Sequence, residues 1–179
     1  MIVWLVGLSG AGKTTIARQL HRQWQAREPA TVLIDGDEIR EIFKHDQNAA
    51  AYTPKGRRIN AERITAMSTW LDRQNINAVV SILCIFPDIL AANRGHYKDY
   101  YEVFIDAPLD QLEARDSKGL YAAARAGEMS DVVSIDIPFP TSSPSAPCAS
   151  RACFRSLVYE IQTILTSSED GKKFFHRHC

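Results

Sequence analysis

The chain alternates short apolar runs with longer segments in which apolar residues recur every three or four positions. Four runs rich in Val and Ile predict β-strands, at Ile2–Val6, Thr31–Ile34, Asn77–Leu83 and Glu102–Ile105. Runs that are apolar at nearly every position are typical of parallel strands, because helices cover both faces of such a sheet. The pattern therefore predicts an α/β fold: a three-layer sandwich with a mainly parallel sheet of about five strands.

Helical periodicity occupies the segments between and after these strands. A first helix is predicted from residue 13 to about residue 27, and Thr53-Pro54 predicts the start of a second long helix, because threonine caps helices and proline suits their first position. Pro108 predicts a further helix in the same way, through residue 114. The apolar spacing over 154–165 predicts a C-terminal amphipathic helix, after a Pro/Ser-rich loop at 138–150.

Length and charge narrow the classes of protein that remain. We expect one domain over residues 1–179, since this length buries a core without staples. Lys and Arg together number 21, as do Asp and Glu, so no bulk positive field attracts a nucleic acid polymer. No apolar run approaches the ~20 residues of a membrane helix, and no signal peptide is recognisable. The four cysteines lack CxxC spacing, which favours a reducing, cytoplasmic location.

The first predicted strand runs directly into a phosphate-binding motif. Residues 7–14, GLSGAGKT, match G-x-x-x-x-G-K-[ST] without a mismatch, and the glycines let successive N–H groups face phosphate oxygens. Lys13 would neutralise the β- and γ-phosphates of ATP as a catalytic group, and Thr14 would offer its hydroxyl to Mg²⁺. A chance glycine-rich turn is the alternative, disfavoured by the strand before the motif and the helix after it. The predicted ATP-binding residues are Gly7, Ser9, Gly10, Ala11, Gly12, Lys13, Thr14 and Thr15.

An acidic motif, DGDEIR at residues 35–40, follows the second predicted strand. It lies at the carboxyl edge of the sheet, where open α/β folds bind ligands. A hydroxyl that attacks a γ-phosphate needs orientation and a proton acceptor, and Asp37 is the candidate catalytic base. Asp35 would position that base or water on Mg²⁺, and Arg40 would hold an acceptor phosphate. A solvated turn before a charged helix face is the alternative, but beside a phosphate loop the motif favours a small-molecule kinase.

Four motifs, in order along the chain, resemble those of adenylylsulfate kinases, which use ATP to phosphorylate the 3′-hydroxyl of adenosine 5′-phosphosulfate (APS). The resemblance covers roughly residues 2–140. WLVGLSGAGKTTIA resembles the family's phosphate-loop context, DGDEIR its DGDxxR, and RRIN the Arg-x-x-Asn of its acceptor-binding helix, at Arg57 and Asn60. RDSKGLYAAARAGE, residues 115–128, resembles the family's lid and is the most specific of the four.

The resemblance implies a P-loop NTPase fold, ATP and Mg²⁺ as cofactors, a nucleotide substrate and a homodimer. It implies that Asp37 meets the acceptor hydroxyl and that a lid, about 115–130, closes over the nucleotides; a basic surface loop is the alternative. The implied lid contacts are Arg115 and Lys118 at the donor, Lys118 and Leu120 at the acceptor, and Arg125. The implied residues for the acceptor's phosphate and sulfate end are Arg40, Arg57 and Asn60.

The acceptor side departs from the family's pattern. The family sandwiches the acceptor's adenine between two phenylalanines, which here correspond to Tyr52 and, in VVSID rather than FTGID, to Val132. Tyr52 can still stack on a base, whereas Val132 offers apolar contact without a π-face. Phe86 opens FPDI where the family has Ser-Pro-Tyr-Arg, and Ser130 replaces a lysine. Phe86 is a candidate for a compensating contact.

Three readings of the function therefore remain. The first is transfer from ATP to APS, which yields 3′-phosphoadenosine 5′-phosphosulfate. The second is transfer to another nucleotide whose 5′ end carries a modified phosphate, such as a cytidine diphosphate derivative of the phosphoramidate type. The third is a non-catalytic nucleotide-binding module, disfavoured because the catalytic side chains are all present.

Overall fold

A computed structural model describes residues 1–47, 49–116 and 118–139. One parallel sheet, ordered β2-β3-β1-β4, forms its centre. The strands are β1 (Ile2–Gly7), β2 (Thr31–Asp35), β3 (Asn77–Ile82) and β4 (Tyr100–Ile105). Each coincides with a strand that the apolar pattern predicts, and the parallel α/β class is confirmed. The sheet has four strands within the described residues, against the prediction of about five.

The strand register brings the polar ends of three strands to one edge of the sheet. Asp35 at the end of β2 pairs with Ser81 of β3, and Val6 of β1 pairs with Ile82. Gly7, which ends β1, pairs with Ile105 of β4. The phosphate-loop motif and the acidic motif therefore leave the sheet side by side, as the connection of parallel strands requires.

Alternating residues of β1 build two separate cores, because successive side chains of a strand point to opposite faces. Val3 and Leu5 pack on one face with Leu20 and Trp24 of the first helix. The other face is formed by Ile2, Trp4 and Val6, with Ile64, Leu71, Ile89 and Leu90 from two later helices. Both faces are covered within the described residues, which explains why β1 and β3 are buried at every position.

Six α-helices and one short 3₁₀ helix (Ala49–Tyr52) connect and cover the strands of the described chain. The helices are α1 (Lys13–Gln25), α2 (Gly36–Ile42), α3 (Pro54–Arg73), α4 (Pro87–His96), α5 (Leu109–Arg115) and α6 (Leu120–Arg125). Thr53 caps α3, accepting a hydrogen bond from the Gly56 backbone N–H at 3.2 Å, as predicted. Pro108 precedes α5 instead of opening it, because its extended ψ of 135° places it at the cap position.

Two predicted elements cannot be compared with the structure. The C-terminal helix at 154–165 lies outside the described residues, as does all but the start of the Pro/Ser-rich loop. The prediction of one domain over residues 1–179 likewise stays a prediction. No helix in the described part of the chain has the length and apolarity that a membrane crossing requires.

Candidate active site

The phosphate loop connects β1 to α1 in a conformation that only glycine adopts without strain at two of its positions. Gly10 and Gly12 have φ of 75° and 87°, in the left-handed region. A Cβ on Gly7 would lie 2.6 Å from the Ile105 carbonyl oxygen, so the loop leaves the sheet against β4. Gly12 is the N-cap of α1 and supplies no side-chain cap, so the first turn of α1 presents its N–H groups to an anion.

Lys13 folds back over this loop. Its Nζ donates a hydrogen bond to the Leu8 carbonyl oxygen at 2.6 Å. Burial lowers the pKa of Lys13 from its ordinary 10.5 to about 8, against the opposing charges of Asp37 and Asp35. At pH 7 the side chain is therefore mostly protonated and carries the positive charge that a polyphosphate needs.

Three side-chain oxygens meet beside Lys13. The Thr14 hydroxyl donates to Asp35 Oδ2 at 2.7 Å and lies 3.4 Å from the Ser81 hydroxyl. Hydroxyl, carboxylate and phosphate oxygens are the ligands that Mg²⁺ prefers, with several waters retained. The described residues hold no group of three or more His, Cys, Asp or Glu side chains suited to a metal. This donor set fits Mg²⁺ shared with a nucleotide, with Thr14 and Asp35 as the protein's contribution.

Asp35 also fixes the position of Asp37. Its Oδ1 accepts a hydrogen bond from the Asp37 backbone N–H at 2.9 Å and so caps α2. One turn along, Arg40 donates to Asp37 Oδ1 at 2.8 Å, as the i, i+3 spacing predicts. Lys118 of the predicted lid donates to Asp37 Oδ2 at 2.9 Å, so both carboxylate oxygens are occupied.

The pKa of Asp37 results from opposing effects. Desolvation alone raises it, but the hydrogen bond and charge of Lys118, then the charges of Arg40 and Lys13, lower it below its ordinary value. Asp37 is therefore ionised over the whole physiological range. A carboxylate in this state can orient a hydroxyl by accepting its hydrogen bond.

Two arginines and an aromatic ring lie next to Asp37. Arg40 is 6% exposed, its Nε has no hydrogen-bond partner among the described residues, and its Cζ lies 5.2 Å from the centre of the Tyr52 ring. Arg57 lies 6.0 Å from the same ring, and burial, followed by the charge of Arg40, lowers its pKa. Arg40 pairs with Asp37, and Arg57 donates to the carbonyl oxygens of Tyr52 and Asp131 at 2.7 and 3.1 Å. Two guanidinium groups beside one carboxylate leave a net positive charge suited to an anion, and Tyr52, 43% exposed, offers a ring for stacking.

Asn60 lies beneath this group. The residue is 1% exposed, its Nδ2 donates to the Gly36 carbonyl oxygen at 3.0 Å, and its Oδ1 finds no hydrogen-bond donor in the described part of the chain. The structure therefore places Asn60 against the start of α2, where it supports Asp37. Its predicted contact with the acceptor stays a prediction.

Phe86 and Val132 are less available to a base than Tyr52. Phe86 is 9% exposed, and the Arg58 guanidinium lies 4.3 Å from its ring centre. That guanidinium is held by two hydrogen bonds to Asp88, at 2.9 and 3.1 Å. Val132 is 7% exposed and packs in the same core cluster as α1. Of the three side chains predicted to contact the acceptor's base, Tyr52 is thus the one with a ring exposed enough for a base to stack on it.

The predicted lid contains a short helix and lies against the phosphate loop. A depression lined by Ser9 and Gly10 of the loop is also lined by Arg115, Lys118 and Leu120 of the lid, which brings these predicted residues together. No helix was predicted within the lid, whose sequence is rich in Arg, Lys, Ala and Gly and gives little strand signal.

Two lid side chains have roles that sequence reasoning did not assign. Arg125 donates to Glu113 of α5 at 2.8 Å, and Tyr121 donates to the Ser9 carbonyl oxygen at 2.9 Å. Ser81 was also missed. Its signal was a small polar residue near the end of an apolar strand, at the edge where ligands bind.

A phosphate loop, a magnesium-compatible oxygen cluster and an ionised carboxylate beside two arginines define a P-loop kinase that transfers a phosphoryl group to a hydroxyl. The model of the adenylylsulphate kinase family matches residues 1–148, and the chain belongs to this family. The predicted resemblance and the P-loop kinase fold are thereby confirmed.

Relatives and solved structures agree with this placement. A cytidine diphosphoramidate kinase of Campylobacter jejuni is 34% identical over 92% of this chain and 94% of its own. An adenylyl-sulfate kinase of Rippkaea orientalis is 37% identical over 82% of this chain and 80% of its own. The Mycobacterium tuberculosis APS kinase, solved in complex with AMPPNP and APS, superposes with a TM-score of 0.69 and 29% identity, covering 92% of this chain and 96% of that one.

Proposed function

We propose that the protein is an ATP-dependent kinase that phosphorylates the 3′-hydroxyl of APS to give 3′-phosphoadenosine 5′-phosphosulfate. The observation that carries the proposal is the position of Asp37. It lies between the phosphate loop, through Lys13, and two arginines suited to an anion, Arg40 and Arg57. An acceptor that combines a hydroxyl with a phosphorylated 5′ end matches this arrangement.

On the donor side, the loop amides and Lys13 bind and orient the phosphates of ATP. Lys13 moves from the Leu8 carbonyl to the β- and γ-oxygens, where its charge stabilises the transition state. Thr14 and Asp35 would hold Mg²⁺, and the ion would neutralise negative charge on the phosphate oxygens of ATP. Arg115 and Lys118 cover the same site from the lid.

On the acceptor side, Asp37 orients the 3′-hydroxyl in line with the γ-phosphate and receives its proton. Its lowered pKa suits this role, because phosphoryl transfer through a loose transition state depends more on positioning than on a strong base. Arg40 and Arg57 bind the phosphosulfate end, and Tyr52 stacks on the base. Further proposed contacts to the acceptor are Asn60, Phe86, Lys118, Leu120 and Val132.

A second candidate acceptor is a nucleotide with another base, such as a cytidine diphosphate derivative of the phosphoramidate type. The observation in its favour is the enclosure of two of the three base-contact candidates, since Val132 is 7% and Phe86 9% exposed. If Tyr52 is the ring on which the base stacks, a purine loses the stacking energy of its second aromatic partner. A smaller pyrimidine loses less binding free energy in such a pocket. The similarity to the Campylobacter jejuni enzyme supports the same candidate.

Parallel assays decide between the two acceptors. The purified protein is incubated with Mg²⁺, ATP and either APS or cytidine diphosphoramidate, and ADP release is measured. A kcat/KM for APS at least tenfold above that for the cytidine compound is the expected result, and the reverse order would establish the second candidate. ATP binding without transfer to either acceptor would contradict both and favour a non-catalytic module.

The variant Asp37→Asn tests the role of the carboxylate within the same assay. It keeps the shape of the side chain but removes its charge, so we expect kcat to fall at least 10²-fold while ATP affinity stays within about threefold. Arg18→Gln is a matched surface control, since Arg18 pairs with Glu38 in an exposed contact outside the site. Full turnover by Asp37→Asn would refute the assignment of Asp37.

The proposal includes Mg²⁺ as the metal, a homodimer as the assembly, and sulfate assimilation in the cytoplasm as the setting. Loss of turnover in EDTA and its return with MgCl₂ test the metal. Sedimentation velocity tests the assembly, and a single species of the monomer's 20.1 kDa would contradict it.

A further inference from the structure

Polar contacts within the described residues attach helix α6 of the lid to neighbouring segments. Asp116 accepts a hydrogen bond from the Ala122 backbone N–H at 2.8 Å, and Arg125 binds Glu113 of α5. The third attachment is the Tyr121 hydroxyl, which donates to the carbonyl oxygen of Ser9 at 2.9 Å. The first two join α6 to α5 and its C-terminal end, whereas the third reaches into the phosphate loop itself.

Tyr121 is held in place for this contact. Its side chain is 3% exposed and belongs to the core cluster that includes Leu112 and Ala11. Burial, and after it the charges of Asp116 and Glu113, raises the pKa of Tyr121 to about 12. The hydroxyl therefore keeps its proton at physiological pH and acts as a donor.

The contact fixes the orientation of one peptide unit in the loop. The C=O of Ser9 and the N–H of Gly10 belong to the same planar trans unit, so they point in opposite directions. Since the Ser9 oxygen faces Tyr121, the Gly10 N–H faces away from it. Gly10 has φ of 75°, and glycine gives this unit little conformational restraint of its own. A partner for the Ser9 oxygen is therefore needed to hold the unit in one orientation.

We infer that Tyr121 is a positioning residue for the donor phosphates: its hydroxyl holds the Ser9–Gly10 peptide so that the Gly10 N–H is presented to a phosphate oxygen. The inference rests on the proposed ATP-dependent function. The packing of α6 and the conformation of the phosphate loop would then depend on the same hydrogen bond. The lid would thus help to shape the donor site as well as cover the nucleotides.

The variant Tyr121→Phe removes the hydroxyl and leaves the ring. Tyr97→Phe is the matched control, because Tyr97 is also buried, at 5% exposure, and donates to a helix carbonyl, that of Thr65, at 3.2 Å. We expect the Kd for Mg·AMPPNP, measured by calorimetry, to rise three- to tenfold in Tyr121→Phe, the usual range for one hydrogen bond. In Tyr97→Phe the Kd for Mg·AMPPNP should stay within about 1.5-fold of the wild-type value, because the hydroxyl removed there bonds to α3 and not to the phosphate loop.

Steady-state kinetics separate positioning from a loss of stability. In Tyr121→Phe the KM for ATP should rise while the KM for the acceptor stays within about twofold; a variant that is merely less stable would lower the active fraction and change neither KM. Should Tyr121→Phe fold poorly, Tyr121→Met replaces the ring by a smaller, flexible apolar side chain without a hydroxyl and should shift the Kd in the same direction. An unchanged Kd in a folded variant overturns the inference, whereas failure of the wild type to bind Mg·AMPPNP overturns the proposed function instead.

Discussion

The Asp35 carboxylate has two contacts that a single substitution can separate. Oδ1 caps α2 through the Asp37 backbone N–H, and Oδ2 accepts the Thr14 hydroxyl at 2.7 Å. Asp35→Asn keeps one acceptor for the cap, where Asn serves about as well as Asp. It removes the charge and replaces the second acceptor by an NH₂ group, which cannot accept from Thr14. The variant therefore tests the oxygen cluster while α2 stays capped.

The size of the effect follows from these contacts. Exchanging a charge-assisted for a neutral hydrogen bond changes stability by about 1 kcal/mol, so the free energy of unfolding should fall by no more than about 2 kcal/mol in Asp35→Asn. Asp35→Ala also removes the acceptor for the part-buried Asp37 N–H and leaves the Thr14 hydroxyl with the 3.4 Å contact to Ser81, so it should lose about 2–4 kcal/mol. Both variants lack the carboxylate, so the Mg²⁺ concentration for half-maximal turnover should rise at least tenfold in each.

Urea unfolding monitored by tryptophan fluorescence gives the stabilities, and turnover at fixed ATP against increasing Mg²⁺ gives the metal dependence. The expected result is a small stability loss for Asn, a larger one for Ala, and a weakened metal response in both. Wild-type Mg²⁺ dependence in Asp35→Asn would refute the magnesium assignment, and equal stability losses in the two variants would refute the role of Asp35 as a cap.

Two further predictions concern the donor and the acceptor. The pKa of Lys13 is about 8 in the free protein and rises when phosphates surround it, so ATP binding at pH 8.5 should take up protons, and the affinity for ATP should fall as the pH rises through 8. Calorimetry in two buffers of different ionisation enthalpy measures the proton uptake. If the uptake persists in Lys13→Arg, Lys13 is excluded as its source. Tyr52→Leu should raise the KM for the acceptor roughly two- to tenfold and leave that for ATP unchanged, since one stacking contact is lost. Trp70→Leu, an aromatic change at a more exposed position of α3 (64% against 43% for Tyr52), is its control, and equal shifts in both variants would contradict stacking by Tyr52.

The apolar pattern predicted the strands well because every strand position in β1 and β3 is buried, which leaves a mostly apolar run rich in Val and Ile in each. It did not predict α4 or α6 as helices. The helix α4 follows Phe86-Pro87, a signal that serves turns as well as helix starts. The lid helix α6 is a six-residue helix held by contacts from outside it, such as Arg125 to Glu113, and periodicity does not record such contacts.

The candidate site was predictable where chemistry depends on spacing along the chain. The i, i+3 pair Asp37 and Arg40 is of this kind, as is the phosphate loop. Contacts between distant segments were not predictable. The burial of Phe86 under Arg58 depends on Asp88, which is 30 residues from Arg58, and a single sequence gives no distance between them. The acceptor pocket is built mainly from such contacts, and this is why its base preference was the least determined part of the sequence interpretation.

The two partners of Asp37 differ in what their release requires, and this difference decides how an acceptor hydroxyl reaches the carboxylate. Arg40 is 7% exposed at its side chain, so displacing it would leave a buried guanidinium without its anion, which is more costly than separating two exposed charges. Lys118 and Asp37 are 58% and 61% exposed, and an ion pair of this kind contributes about 0–1 kcal/mol. Under the proposed function we therefore expect the hydroxyl to take the place of Lys118 at Oδ2, while Arg40 keeps Oδ1 and the orientation of the carboxylate. Lys118 would then meet phosphate oxygens, so that a single exchange would open Oδ2 to the acceptor and bring a cation to the transferred phosphoryl group.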